Sequence, residues 1–163
     1  MLGNFRLIDR TVFKENFYNY LNNIPPKKVR EYAKEFWSIE FPKHFNKKMV
    51  NEIRKAHEGG KTIYIITGGF EVYTKYLENI LPLTVLGTRT AYRSNSYRVL
   101  GKACNGEEKL RRLKKHMKED FIFLEAYSDE KEPILYEAKT GYYVKDGQVI
   151  MLQKAPKTIT SEK

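Results

Sequence analysis

Short apolar runs alternate with amphipathic stretches along most of this chain. The run at residues 62–66 is apolar, β-branched and preceded by glycine, which predicts a buried parallel strand that stops at Thr67. An amphipathic helix is predicted to follow directly, over residues 71–81. Further strands are predicted over residues 84–87, 121–124, 141–144 and 148–152, the last two forming a hairpin around Lys145-Asp146-Gly147.

Apolar residues at helical spacing predict three helices before the first strand, over residues 11–22, 26–39 and 46–58. Phe41-Pro42 is predicted to interrupt the chain after the second. A basic helix is predicted to end near His116, and a short helix over residues 134–138. The helical front third and the alternating β and α segments behind it predict an α/β fold with a Rossmann-like parallel sheet flanked by helices.

Composition restricts the class of protein. The chain has 163 residues, enough for one domain with a core, and no apolar run near the roughly 20 residues that span a bilayer. The N-terminus has no hydrophobic stretch typical of a signal peptide. Cys104 is the single cysteine, which excludes an internal disulfide framework and favours a reducing, cytoplasmic location. Three scattered histidines argue against a zinc site.

The net charge of +10 permits a nucleic-acid-binding domain. The densest basic run, residues 109–118, has a helical pattern with Leu110 and Leu113 on one side. We interpret it as an exposed helix face, because no zinc-finger, RNA-recognition or helix-turn-helix signature accompanies it.

Three predicted strand ends carry groups that complement phosphate. Thr67, Gly68 and Gly69 could hold an anion through a hydroxyl and open backbone N–H groups. The alternative is a plain turn in which glycine serves only a positive φ. Lys109 could neutralise phosphoryl charge, or be a surface lysine. Asp129 could ligate Mg²⁺, or be a turn or N-cap residue.

The stretches TGGFEVYTKYLENILPLT, GKACNGEEKLRRL and EAYSDEKEPILYEA follow one another in this chain. In this order they resemble the second, third and fourth motifs of the haloacid dehalogenase-like (HAD) phosphatases, in the phosphoserine-phosphatase-like branch. The resemblance covers about residues 16–149. It implies that Thr67 hydrogen-bonds the phosphoryl group of a small phosphorylated molecule. Lys109 would stabilise its charge and that of an aspartyl-phosphate intermediate, and Asp129 would help to hold Mg²⁺.

Residues 24–53 resemble the helical cap and return helix of the same branch. The resemblance therefore divides the chain into a partial cap at residues 1–45, an α/β core with its C-terminal hairpin at 46–153, and a polar tail at 154–163, which is expected to be disordered.

Two departures from the family pattern matter. The fourth-motif loop is about two residues short, and either Glu130 or Glu132 could replace its second acidic residue. The chain also has no Asp-x-Asp-x-Thr nucleophile motif. The nearest stretch, Leu7-Ile8-Asp9-Arg10-Thr11, has Leu7 where the nucleophile belongs, and Asp9 is interpreted as a helix N-cap. On this interpretation the chain begins inside the cap, after a lost nucleophile strand.

Loss of that strand predicts an incomplete sheet, covered by a second copy, by a partner chain or by the abundant aromatic residues. Three functions follow. The first is Mg²⁺-dependent hydrolysis of a small phosphomonoester, if a nucleophile is supplied. The second is an inactive relative that binds a phosphorylated ligand or a protein partner. The third is nucleic-acid binding, supported only by the net charge and by the basic helix at residues 109–118.

Overall fold

The computed structural model describes residues 19–117 and 121–152. The chain divides into two compact units, Met1–Glu108 and Lys109–Lys163, and each is described by itself. The predicted helix at 11–22 falls largely outside the described residues, as do Asp9 and the polar tail. The predicted cap, core and tail boundaries remain predictions.

The first unit opens with helices. After a single 3-10 turn at Asn19–Leu21, helix α1 spans Pro26–His44 and helix α2 spans Lys47–Glu58. Pro26 is suited to the first turn of α1, where its missing N–H costs no hydrogen bond. Asn46 caps α2, because its side chain accepts from the N–H groups of Lys48 and Met49 at 2.9 and 3.2 Å.

Helix α1 runs through Pro42, so the predicted interruption at Phe41-Pro42 is wrong. Pro42 lies in the last turn, where the loss of one backbone hydrogen bond is offset by packing around it. The ring of Phe45 lies 4.5 Å from that of Phe41 and 5.9 Å from that of Trp37. The N–H of Phe45 also donates to the carbonyl of Phe41 at 3.2 Å, which closes the turn.

Two parallel strands follow the helices. Strand β1 spans Tyr64–Phe70 and pairs in parallel with β2, Thr84–Thr88. Between them lie a short helix, α3 at Glu71–Thr74, and a 3-10 turn at Lys75–Asn79. This confirms the predicted strand at 84–87 and the parallel pairing.

The polar stretch after β2 forms an antiparallel hairpin. Strand β3, Thr90–Arg93, pairs with β4, Ser96–Val99. Ser94 and Asn95 form the turn with φ of 47° and 58°, the left-handed conformation that two-residue hairpins need. The hairpin delivers Tyr97 to the core of this unit, which it shares with Leu21, Val29 and Phe70.

The second unit contains most of helix α4, Glu107–Met117, then strand β5 at Glu125–Ser128 and helix α5 at Pro133–Glu137. The predicted strand at 121–124 is wrong, because the ladder forms four residues later. The partner strand β6 begins only at Thr140, which pairs with Glu125. Phe123 and Leu124 already accept hydrogen bonds from Lys139 and Thr140, at 2.8 and 2.9 Å, ahead of that ladder.

Strands β6, Thr140–Lys145, and β7, Gln148–Leu152, form the predicted hairpin. Its turn residues Asp146 and Gly147 have φ of 49° and 77°. Strand β5 pairs with β6 in parallel, so the order is β5-β6-β7. Leu135 of helix α5 and Ala138, which follows the helix, pack on this sheet. A Cβ on Gly141 would lie 2.2 Å from the carbonyl oxygen of Leu135.

The fold is therefore mixed α/β, with parallel strand pairs, helices and a C-terminal hairpin, which confirms the predicted Rossmann-like class. Across the described ranges, the structure contains no helix with the length and apolarity needed to cross a membrane.

Candidate functional site

Thr67, Gly68 and Gly69 lie within strand β1, not after it. The strand continues to Phe70, and its register against β2 shifts between Ile66 and Phe70. The prediction that the strand stops at Thr67 is therefore wrong. The two glycines made this segment resemble a turn in the sequence, whereas in the structure they lie where the pairing register with β2 shifts.

The Thr67 side chain is held by its own strand. Its Oγ accepts a hydrogen bond from the N–H of Gly69 at 3.1 Å. A hydroxyl has two acceptor lone pairs and one donor hydrogen, so this contact leaves the donor free to serve an anion. The same contact turns the Gly69 N–H toward Thr67 and away from any ligand.

These glycines allow close packing and do not adopt unusual backbone dihedral angles. Neither Gly68 nor Gly69 is among the described glycines with positive φ, so the alternative in which they serve only a left-handed turn is wrong. A Cβ on Gly69 would lie 2.8 Å from the hydroxyl of Tyr73 and 2.9 Å from Cγ2 of Thr74. The segment is therefore packed closely against helix α3.

A buried threonine anchors the same segment to β2. The Oγ of Thr88, which has no exposed surface, donates to the carbonyl of Gly68 at 2.8 Å. It also accepts from the N–H of Cys104 at 3.0 Å. Sequence reasoning missed Thr88, although a polar residue at the end of an apolar strand was a signal that could have found it.

The helix after the segment is much shorter than predicted. Helix α3 has four residues, and a 3-10 turn continues it to Asn79 in place of the predicted helix at 71–81. The Tyr73 carbonyl accepts from the indole N–H of Trp37 at 2.9 Å, which competes with a continued α-helical bond. Four residues sum too few peptide dipoles for an anion site at the helix N-terminus.

In the second unit, Lys109 lies near the start of α4 and forms an ion pair with Glu132. Its Nζ lies 2.7 Å from Oε2 of Glu132, and the two side chains are 18% and 6% exposed. Ser128, the last residue of β5, donates its hydroxyl to the same oxygen at 3.3 Å. Strand β5, helix α4 and the start of helix α5 thus bring three polar side chains together.

This arrangement distinguishes the two acidic candidates of the loop. Glu132 is buried against Lys109 at the N-cap position of α5, where its side chain makes no capping hydrogen bond. Glu130 is exposed, and its N–H donates to Ser128 Oγ at 3.2 Å. Ser128 was not predicted, although its place directly before Asp129 at a strand end was the signal.

Asp129 follows β5 immediately and is exposed. In residues 19–117 and 121–152, no cluster of three or more His, Cys, Asp or Glu side chains is arranged to hold a metal ion. A role for Asp129 in binding Mg²⁺ therefore remains a prediction.

The residues predicted to act together belong to different compact units. Thr67, Gly68 and Gly69 lie in the first, whereas Lys109 and Asp129 lie in the second. An open groove of about 560 Å³ in the second unit contains none of these residues. It is lined by Lys114, Phe121, Ile122, Phe123, Glu137 and Lys139.

Comparison with known families identifies the chain. The model of the haloacid dehalogenase-like hydrolase family matches residues 2–131. The match starts 14 residues before the resemblance that begins near residue 16, and it includes Leu7-Ile8-Asp9-Arg10-Thr11. Comparisons with curated proteins and with solved structures returned no match. Since the matched range covers 130 of the 163 residues, this chain belongs to the haloacid dehalogenase-like hydrolases.

Proposed function

We propose that this protein binds the phosphoryl group of a small phosphomonoester, and hydrolyses it through an aspartyl-phosphate only where a nucleophilic carboxylate is supplied to it. The observation that carries the proposal is the family match, whose range contains Thr67, Lys109 and Asp129. Phosphoryl transfer depends chiefly on positioning and charge neutralisation, and these residue types supply both.

In the first unit, Thr67 would donate its hydroxyl hydrogen to a phosphoryl oxygen. The bond that its Oγ accepts from the Gly69 N–H holds this oxygen in place, and the hydroxyl hydrogen can rotate toward a ligand. Gly68 lacks a side chain, so a ligand can approach the backbone of the strand closely there, whereas the space beside Gly69 is taken up by Tyr73 and Thr74.

In the second unit, Lys109 would neutralise the charge of the phosphoryl group. An ammonium group has three donor hydrogens, and Glu132 engages one of them in its closest contact. Glu132 and Ser128 therefore act as positioning residues for Lys109. Glu132 contacts the ammonium group directly, and Ser128 donates a hydrogen bond to the same carboxylate oxygen.

The carboxylate oxygens of Asp129 suit Mg²⁺, because this ion is commonly bound by one or two carboxylates and keeps several water ligands. Asp129 and Glu130 are both exposed at the end of β5, whereas Glu132 is engaged by Lys109. Asp129 would be the protein ligand. A bound Mg²⁺ would reduce the negative charge of the phosphoryl group.

A second candidate is a relative that binds a phosphorylated ligand or a protein partner without hydrolysis. The observation that favours it is the sequence at residues 7–11, within the matched range. By the resemblance to the family motif, Leu7 would stand at the position of the nucleophile, and its aliphatic side chain cannot attack phosphorus.

Activity of the purified chain on an aryl phosphate, with and without Mg²⁺, separates the two candidates. We expect no hydrolysis by the wild-type chain. Because the family match includes residues 7–11, we expect Leu7→Asp to gain Mg²⁺-dependent hydrolysis, which would also contradict the interpretation that the nucleophile strand is lost. Failure of Leu7→Asp to hydrolyse, together with phosphate binding by the wild type, would favour the non-catalytic candidate.

Binding is tested separately with a non-hydrolysable alkyl phosphonate in a calorimetric titration. Thr67→Val and Lys109→Ala are each expected to weaken binding at least about tenfold, since each removes a charged or polar contact. Lys115→Ala is the matched control, because Lys115 is an exposed lysine on the same helix as Lys109. Absence of phosphonate binding by the wild type would contradict both candidates that involve a phosphorylated ligand.

A further inference from the structure

Within the part of the chain that the structure describes, strand β7 forms an open edge of the sheet of the second unit. The sheet order is β5-β6-β7, and within the described residues β7 pairs with β6 alone. Lys145 pairs with Gln148 across the two-residue turn, so Gln148, Ile150 and Leu152 direct their backbone groups toward β6. The backbone N–H and C=O groups of Val149 and Met151 then point outward, away from the sheet.

The side chains along this edge are apolar and solvent-exposed. Val149, Ile150 and Met151 are 51%, 45% and 62% exposed. Residues 148–152 contain no charged residue, no proline and no glycine. Natural edge strands are ordinarily protected from pairing by charge, proline or a bulge, and β7 has none of these.

The same chain protects another edge with its own side chains. Strand β2 has β1 on one side, and its N–H groups at Val85 and Gly87 are bonded elsewhere. Glu78 accepts from Val85 at 2.8 Å and Glu71 accepts from Gly87 at 3.1 Å. Two carboxylates thus occupy donors of β2 that a further strand would need, whereas β7 shows no such protection among the described contacts.

We propose that β7 pairs with β7 of a second copy of this chain, antiparallel and about a two-fold axis at Ile150. In this register Val149 lies opposite Met151 of the other copy, and each of these two pairs exchanges backbone hydrogen bonds. The interface is isologous, so the same apolar residues face each other. This edge is separate from the sheet gap expected from a lost nucleophile strand, and the inference does not rest on the proposed function.

The lack of charge on β7 favours pairing with a second copy of this chain over pairing with a partner of opposite charge. The chain carries +10, yet residues 148–152 are uncharged, so two copies meet where repulsion is smallest.

Sedimentation velocity of the full chain over a wide concentration range tests the dimer. The wild type is expected to show a concentration-dependent monomer–dimer equilibrium. Met151→Pro removes one outward N–H without removing a bond to β6, and it is expected to weaken dimerisation at least about a hundredfold. Met151→Ala is the matched control, since it trims the side chain and keeps the N–H.

Val149→Lys is the second variant, in case Met151→Pro does not fold. It places a charge at the edge and is expected to abolish the dimer, whereas Val149→Thr retains it. A wild type that stays monomeric at every concentration would overturn the proposal. Folded Met151→Pro or Val149→Lys with undiminished dimerisation would overturn it equally.

Cysteine cross-linking tests the register. Directly opposite residues of an antiparallel pair lie close enough for a disulfide, so Ile150→Cys is expected to oxidise to a covalent dimer. Gln148→Cys is the control, because position 148 faces Leu152 of the other copy. Cys104 is fully buried and does not interfere. Equal cross-linking of both variants would contradict the two-fold axis at Ile150.

Discussion

The two groups of candidate residues are held in place by different physical means. In the first unit, Thr67, Gly68 and Gly69 are positioned by neutral hydrogen bonds and by close packing against side chains. In the second unit, Lys109 is positioned by a largely buried ion pair with Glu132. Neutral contacts each contribute about 1 kcal/mol, whereas breaking a buried ion pair costs several times more. The second group should therefore be the more sensitive to substitution.

The largest expected effect comes from Gly141→Ala in the second unit. The new Cβ would lie 2.2 Å from the carbonyl oxygen of Leu135, a backbone atom that cannot move without shifting helix α5. We expect a loss of at least about 3 kcal/mol in the free energy of unfolding, measured by urea denaturation. Gly59→Ala is the control, because its Cβ meets atoms no closer than 3.4 Å. Equal stability of the two variants would contradict the close approach of α5 to β6.

Glu132→Ala is expected to cost about 3 kcal/mol, because it leaves the Lys109 ammonium without its counter-charge in a mostly buried place. Lys109→Met combined with Glu132→Leu should recover most of that loss. A double-mutant cycle by chemical denaturation measures the coupling. Additive effects of the two single substitutions would show that the ion pair does not stabilise the fold.

Gly69→Ala is expected to have a smaller effect than Gly141→Ala, about 1 to 2 kcal/mol. Its Cβ would meet the Tyr73 hydroxyl at 2.8 Å, and that atom is the far end of a side chain that can move. Combining it with Tyr73→Phe should restore part of the lost stability. A loss as large as that of Gly141→Ala would show that the first unit is packed as rigidly as the second.

The smallest expected effect is that of Tyr97→Phe, about 1 kcal/mol at neutral pH. The Tyr97 hydroxyl donates to the carbonyl of Ile24 at 3.0 Å, and burial raises the pKa of this phenol above its ordinary value of 10.0. The contribution is fully present below that ordinary value and is lost as the pH rises through the folded-state pKa.

Unfolding free energies of wild type and Tyr97→Phe, measured across alkaline pH, should therefore converge above about pH 10. A difference that stays constant over this range would show that the hydroxyl is not the titrating group. Tyr32→Phe is a suitable control, since Tyr32 is 47% exposed.

Elements with a repeating pattern were predictable from the sequence. The helix capped by Asn46, the hairpin around Asp146-Gly147 and the strand after Leu83 all appear where periodicity and turn residues place them. Local chemistry determines such elements, so a single sequence suffices.

Errors occurred where a tertiary contact overrode the local pattern. Pro42 stays helical because aromatic packing supports the last turn of α1. Helix α3 is short because the indole N–H of Trp37 donates to the carbonyl of Tyr73. The strand expected at 121–124 forms later, because its partner begins at Thr140. Each outcome depends on residues distant in sequence, which periodicity cannot reveal.

The positions of the candidate residues were only partly predictable, because their contacts also depend on residues distant in sequence. Lys109 lies near the helix start that its motif suggests, but its pairing with Glu132 depends on where α4 and α5 meet. Glu130 and Glu132 are alike in sequence and differ only in burial. Which of the two pairs with Lys109 therefore depends on the three-dimensional fold.

Trp37 makes the first unit observable by fluorescence. It is the single tryptophan of the chain, and its indole N–H donates to Tyr73, four residues beyond Gly69. Its emission should therefore shift when the segment containing Thr67 and Gly69 separates from helix α1. The second unit contains no tryptophan and therefore contributes no tryptophan fluorescence. One optical signal, compared with circular dichroism, can thus reveal whether the two units unfold together or in sequence.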